Sequence, residues 1–217
     1  MSAEISNSAG FGSLEREPKT PFSAICTLGS AVMPYRIEEA TADRWDDFTT
    51  LMGPRGPVEG CWCMLWRLSA REYKAGQGDA NREAMHGVFG EGPPGLLAYD
   101  GDTPVGWCSV APRTAFPRLE TSRNFKPVDD TPIWCVTCFF TARTHRGKSV
   151  GAQLLSAACD FAKRHGATAL EGYPTDTRGE RDTRWFSWTG YQSAFERVGF
   201  REIARRSPKR PIMRKML

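Results

Sequence analysis

The stretch Arg146-Gly147-Lys148-Ser149-Val150-Gly151-Ala152 holds the residue types most directly suited to chemistry. It follows a run, 133–141, that is apolar on both faces, and it opens a segment with helical period. A helix N-terminus leaves backbone N–H groups without partners and carries partial positive charge. Small residues let an anion come close to the main chain there, and flanking cations favour its approach. Two readings follow from these residues: a cradle for a phosphate, or a tight strand-to-helix turn that uses glycine for geometry alone.

Cysteine spacing raises a second chemistry. Cys61-Trp62-Cys63 and Cys135-Val136-Thr137-Cys138 have the look of metal-ligand pairs among the seven cysteines. In a regular strand, positions i and i+3 face opposite sides, so the second pair is not expected to close on one ion. His86, His145 and His165 stand at no ligand spacing from either pair. No metal is expected. An odd cysteine count without an evident secretory signal points to reduced thiols and a cytoplasmic protein.

These groups must be positioned by a chain of 217 residues, enough for one well-filled domain. Residues 1–32 are rich in Ser, Gly and charge and read as a flexible N-terminal extension, with the folded domain at 33–217. From there strand and helix patterns alternate. Segment 35–38 reads as a strand, and Thr41 or Asp43 can cap a helix that runs to about Met52 with Trp45, Phe48 and Leu51 on one face. A second helix covers 79–89, and a hairpin joins 96–99 to 105–110 through Asp100-Gly101-Asp102. A long loop, 111–131, precedes the apolar strand 133–141, which places Ile133, Cys135 and Phe139 on one side and Trp134, Val136, Cys138 and Phe140 on the other. Helix 149–165, strand 167–173, loop 174–187, helix 190–198 and two closing strands complete the chain. No apolar run is long enough to cross a bilayer. The net charge of +4 suits a polyanionic ligand, and its late cluster from Arg201 to Lys215 reads as a solvated face rather than a nucleic-acid surface.

The motif Arg146-x-x-Ser149-x-Gly151 resembles the Arg/Gln-x-x-Gly-x-Gly/Ala signature that the GNAT acyltransferase superfamily carries after its fourth strand. Phe195-Glu196-Arg197-Val198-Gly199-Phe200 is similar to that family's closing Tyr-Glu-x-x-Gly-Phe string, and the two stand in the right order. The resemblance implies an α/β fold with a GNAT-like mixed central sheet of about six or seven strands and helices on both faces. It also implies acetyl-CoA as acyl donor, with Arg146, Gly147, Lys148, Ser149, Val150, Gly151 and Ala152 at its diphosphate and Phe139, Phe140 and Thr141 along its pantetheine arm. Transfer would go by direct attack of a primary amine, a small molecule or a peptide. Ser149 departs from the usual glycine, although a serine amide still donates.

Catalytic groups depart further from the family pattern. Strand 133–141 lacks the acid that many relatives use as a base, so Glu171 on the next strand is the candidate. Phe195 stands where relatives have a proton-donating Tyr; Tyr191, one helical turn earlier in the expected helix 190–198, is the candidate replacement. Trp188 stands where relatives often have a pantetheine-contacting Asn. Glu59, Trp62 and Trp66 fall on the acceptor wall, where aromatics could hold a cationic or amphipathic amine; each of these residues also fits a purely structural role. No nucleic-acid or membrane partner is expected, and pairing of two copies is left open. Two other readings remain: an acyl-CoA-binding module without transferase activity, and a nucleotide P-loop at Ala142–Ser149, which lacks its first glycine and a later magnesium-binding Asp.

Overall fold

In the computed structural model, residues 35–58, 60–178 and 187–217 are described. Seven strands form one mixed sheet: β1 (Arg36–Glu39), β2 (Gly95–Asp100), β3 (Thr103–Pro112), β4 (Trp134–Thr141), β5 (Ala169–Gly172), β6 (Arg201–Arg205) and β7 (Pro211–Met216). Their order across the sheet is β1-β2-β3-β4-β5-β7-β6. All neighbours are antiparallel except the central pair β4 and β5, which run parallel. Helices are α1 (Trp45–Met52), α2 (Ala70–Ala75), α3 (Asp79–Glu91), α4 (Pro117–Glu120), α5 (Val150–Arg164) and α6 (Gln192–Arg197).

Alternation along the strands sorts the core onto two faces. Leu96, Ala98, Cys108, Val110, Val136 and Leu170 point to the face covered by α5, which buries Val150, Leu154, Ala158, Phe161 and Ala162 at helical spacing. Gly166, with φ +85°, provides the left-handed stop that ends α5. On the other face, Phe48 and Met52 of α1 and Met85 and Phe89 of α3 pack on Leu97, Tyr99 and Trp107. A third cluster lies beside it on that face, built from Phe116, Leu119, Phe125, Cys135, Ala169 and Tyr173. Segment 111–131 is therefore not a bare loop. It folds as a 3₁₀ turn, Arg113–Ala115, and α4, and it caps the β4–β5 junction with Phe116, Leu119 and Phe125.

Two departures from regularity shape β4. Ser109 pairs with Cys138 while Val110 pairs with Val136, so Thr137 is an extra, bulged residue. Beyond it the faces exchange. Phe139 packs with Trp134 and Val136 on the α5 side, while Cys138 and Phe140 join Cys135 on the other. This corrects the expected grouping of Phe139 with Ile133 and Cys135, and it puts Cys135 and Cys138 on the same face. Strict period-2 counting fails here because one residue has no opposite number. The second departure is that β5 pairs only with Trp134–Val136: the last partners are Val136 and Gly172, yet β4 continues to Thr141. From there on, β4 is paired with a strand on its β3 edge alone.

Candidate active site

The turn after β4 is built to present main-chain donors. A short 3₁₀ turn, Arg143–His145, leads to Gly147 at φ +78° and Ser149 at φ +63°. Ser149 caps α5 from the left-handed region, a conformation that costs a non-glycine residue roughly 1–2 kcal/mol and accounts for glycine being the usual choice. Its hydroxyl makes no capping bond. The first backbone bond of the helix runs from Gln153 N–H to Ser149 O at 3.1 Å. The amides of Val150, Gly151 and Ala152 therefore have no intrahelical acceptor. A Cβ placed on Gly151 would meet no atom within 4 Å, so the helix start has open space before it. Arg143, Arg146 and Lys148 stand exposed around this opening, with Arg146 Nε donating to Thr141 O at 3.3 Å. These are the features that a diphosphate requires: free donors, room at the main chain, and surrounding cations.

The parting of β4 from β5 leads away from that cradle. Cys138, Phe139, Phe140 and Thr141 have no β5 partners, and the 3₁₀ turn Ser187–Thr189 runs alongside β4. Phe139 meets Phe195 edge-on at 6.2 Å between ring centroids. Phe195 is fully buried, and its ring lies so close to Gly172 that a Cβ there would overlap it. Glycine is needed at the last residue of β5 for the ring to sit there.

A buried polar network occupies the opposite face at the same junction. Glu171, 1% exposed, stands beside Cys135 in the parallel register. Arg214 reaches its Oε1 at 2.6 and 2.9 Å and also pairs with Asp129 at 2.8 Å. Tyr173 donates from its hydroxyl to Glu171 Oε2 at 3.3 Å, accepts from Arg113 Nη1 at 2.8 Å, and lies 3.2 Å from Cys135 Sγ. Burial, the leading cause, pushes the Tyr173 phenol well above its usual range, so it keeps its proton at neutral pH. The Arg214 guanidinium holds the Asp129 carboxyl well below the ordinary carboxylate range. Sequence reasoning found Glu171 and missed Tyr173, Arg113 and Arg214. Tyr173 carried a signal, since a residue two along a strand shares the face of Glu171. The arginines did not, because only sheet register and the docked segment bring them in.

The remaining candidates separate. Tyr191 lies outside α6: it is the N-cap, extended and 38% exposed, and it forms a bridge with Thr175. Tyr191 and Phe195 therefore do not share a helical face, which corrects the expected helix 190–198; the bridge to Thr175 holds Tyr191 out of the helix. Trp62 is 2% exposed and belongs to the core under α1, with φ +44°. Trp66 packs instead against Phe125 at 5.8 Å and Trp188 at 6.3 Å, nearer the network. Glu59 lies outside the described residues. Cys63 Sγ lies 3.6 Å from Cys138 Sγ and accepts from Trp107 Nε1 at 3.2 Å. No group of three or more metal-capable side chains occurs among the described residues.

Because Glu171 is buried between two guanidinium groups, removing its charge should be costly. Glu171→Ala is expected to destabilise the fold by about 3 kcal/mol, the low end for a broken buried pair, since Arg113 keeps Glu120 and Arg214 keeps Asp129. Urea unfolding checks this; a loss below about 1 kcal/mol, the range of surface pairs, would show that the carboxylate does not hold those cations.

Comparison with known proteins bears on the whole arrangement. The model of the acetyltransferase (GNAT) family matches residues 62–187, more than half of the chain. No curated protein sequence matches. Among solved structures, the mosquito arylalkylamine N-acetyltransferase like 5b is 14% identical, with 84% of this chain and 100% of that chain covered and a TM-score of 0.52. A GNAT-family acetyltransferase from Listeria monocytogenes is 11% identical over 84% of this chain and 95% of that chain, with a TM-score of 0.51. The PaiA N-acetyltransferase of Thermoplasma acidophilum, solved with coenzyme A, is 14% identical over 85% of this chain and 100% of that chain, with a TM-score of 0.47. The chain belongs to the GNAT acetyltransferase family, whose members are acyl-CoA-dependent N-acyltransferases with acetyl-CoA as donor.

Proposed function

We propose that this chain transfers the acetyl group of acetyl-CoA to a primary amine of a small molecule or peptide by direct attack. The observation that carries this reading is the alignment of two features: the open β4 edge beyond Val136 and the unpartnered first turn of α5. The donor supplies an activated thioester. The chain's own part begins with the amides of Val150, Gly151 and Ala152, which bind the diphosphate together with Arg146, Gly147, Lys148 and Ser149. Phe139, Phe140 and Thr141 offer main-chain groups to the pantetheine arm as a neighbouring strand would. Much of the rate then comes from holding amine and thioester in line, with a strand N–H directed at the developing oxyanion.

Proton handling falls to groups on either side of the cleft. On the buried side, Tyr173 bridges to Glu171 and offers a path by which the amine's proton reaches the carboxylate. At the exposed side, Tyr191 follows Gly190, which lies against Phe139, and its phenol is the donor for the departing thiolate. General acid and base groups contribute roughly a hundred- to ten-thousandfold each.

Two variants test this division of labour. Gly151→Leu gains helix propensity of up to about 1 kcal/mol, so the melting temperature should hold or rise while coenzyme A affinity falls at least about tenfold. Unchanged affinity, by calorimetry, would remove the cradle. Tyr173→Phe should lower kcat by roughly a hundredfold or more with coenzyme A binding intact; an unchanged kcat would assign the Tyr173–Glu171 pair to the fold. Tight coenzyme A binding without thiol release from any amine would reassign the chain to a binding module.

A further inference from the structure

The arginines around the β4–β5 junction and its cap fall into two groups by how they are paired. Arg113, Arg205 and Arg214 each hold one or more carboxylates. Arg67, Arg118 and Arg210 hold none among the described residues. Arg210 donates to Thr175 Oγ1 at 2.8 Å and stands 5.3 Å over the Phe125 ring. Arg118 donates to Leu65 O at 2.8 Å and stands 5.8 Å over Trp66. Arg67 lies 4.7 Å over Phe116, with its Nε buried and unpartnered. Burial pulls the Arg210 guanidinium below its usual range and Arg67 down to about 10, with Cys63 and Glu91 opposing part of the shift at Arg67.

The rings that carry these cations line the junction itself. Phe125 contacts Tyr173 at 4.9 Å, and Tyr173 directly follows the last paired residue of β5. Trp66 contacts both Phe125 and Trp188, and its Nε1–H is buried with no acceptor among the described residues. A buried donor left without an acceptor is destabilising, and cation–π contact offsets only part of the cost of enclosing a cation without its counter-ion. The aromatic faces that could have greeted a cationic acceptor are already covered by guanidinium groups. Glu171, Asp129 and Glu120 are taken up by Arg113 and Arg214, which leaves Arg210 without a carboxylate among the described residues.

We infer that the acceptor is an amine that also carries a carboxylate, with Arg210 as its charge partner and the Trp66 indole N–H as a second donor. This rests on the transferase reading above and on the acceptor entering from the face opposite α5. A carboxylate beside Arg210 makes a charge-assisted bond and supplies the counter-ion that Arg210 lacks among the described residues. An amine without one enters a field of like charge.

The test uses acceptor pairs that differ only in the carboxylate: arginine against agmatine, and tyrosine against tyramine. Thiol release from acetyl-CoA and calorimetric binding to the coenzyme A complex should both favour the carboxylated member by at least about tenfold. Arg210→Gln should abolish that preference and Arg210→Lys keep part of it, with coenzyme A affinity unchanged in each. Equal use of both members, preference for the decarboxylated one, or a preference that survives Arg210→Gln overturns the inference and leaves the transferase reading standing. Absence of thiol release from every amine overturns both.

Discussion

Everything at the site depends on where β4 stops sharing hydrogen bonds with β5. Up to Val136 the strand is bonded on both edges, and beyond it only β3 holds it. Main-chain groups inside a protein need partners, and a strand edge left open is a template for another extended chain. The bulge at Thr137 falls at the same point, adding local twist where the strands diverge. Gly172 and Phe195 keep the gap from closing, since the ring occupies the space that a side chain on β5 would take. The opening is thus a consequence of packing and does not wait for a ligand to create it.

Charge is distributed across the two faces to match. On the α5 face, exposed cations surround a helix start whose amides are unpartnered, an arrangement that attracts an anion without the cost of burying charge. On the other face the cations are enclosed. Some are neutralised by Glu171, Asp129 and Glu120, and others lie over aromatic rings and donate to uncharged oxygens. Burying Glu171 between Arg113 and Arg214 ties β5, β7 and segment 111–131 into one unit, so the network also fixes the cap over the junction. Such a rigid surround limits the motion of the Tyr173–Glu171 pair and sets the orientation of the Tyr173 hydroxyl.

Much of this was legible from residue order. The α5 face follows from apolar spacing, and the open helix start from glycines after an apolar strand, because both are local patterns. Phe139 was read onto the wrong face because a bulge breaks period-2 counting and leaves no mark in composition. Tyr191 was read into helix 190–198, whereas a bridge to Thr175 keeps it extended. Trp62 and Trp66 look alike in sequence, yet the three turn-rich residues between them send one to the core and the other towards the junction. The Arg113, Arg214 and Arg210 contacts depend on sheet register and on a docked segment, neither of which residue spacing encodes.

The central claim is that the unpaired edge of β4 receives the donor as an added strand. Amide hydrogen exchange, resolved by residue and measured with and without coenzyme A, addresses it directly. The amides of residues 138–141 that do not face β3 should become markedly protected when coenzyme A is added, while those of 134–136 stay protected throughout. Unchanged exchange at 138–141 in a saturated complex would contradict the account.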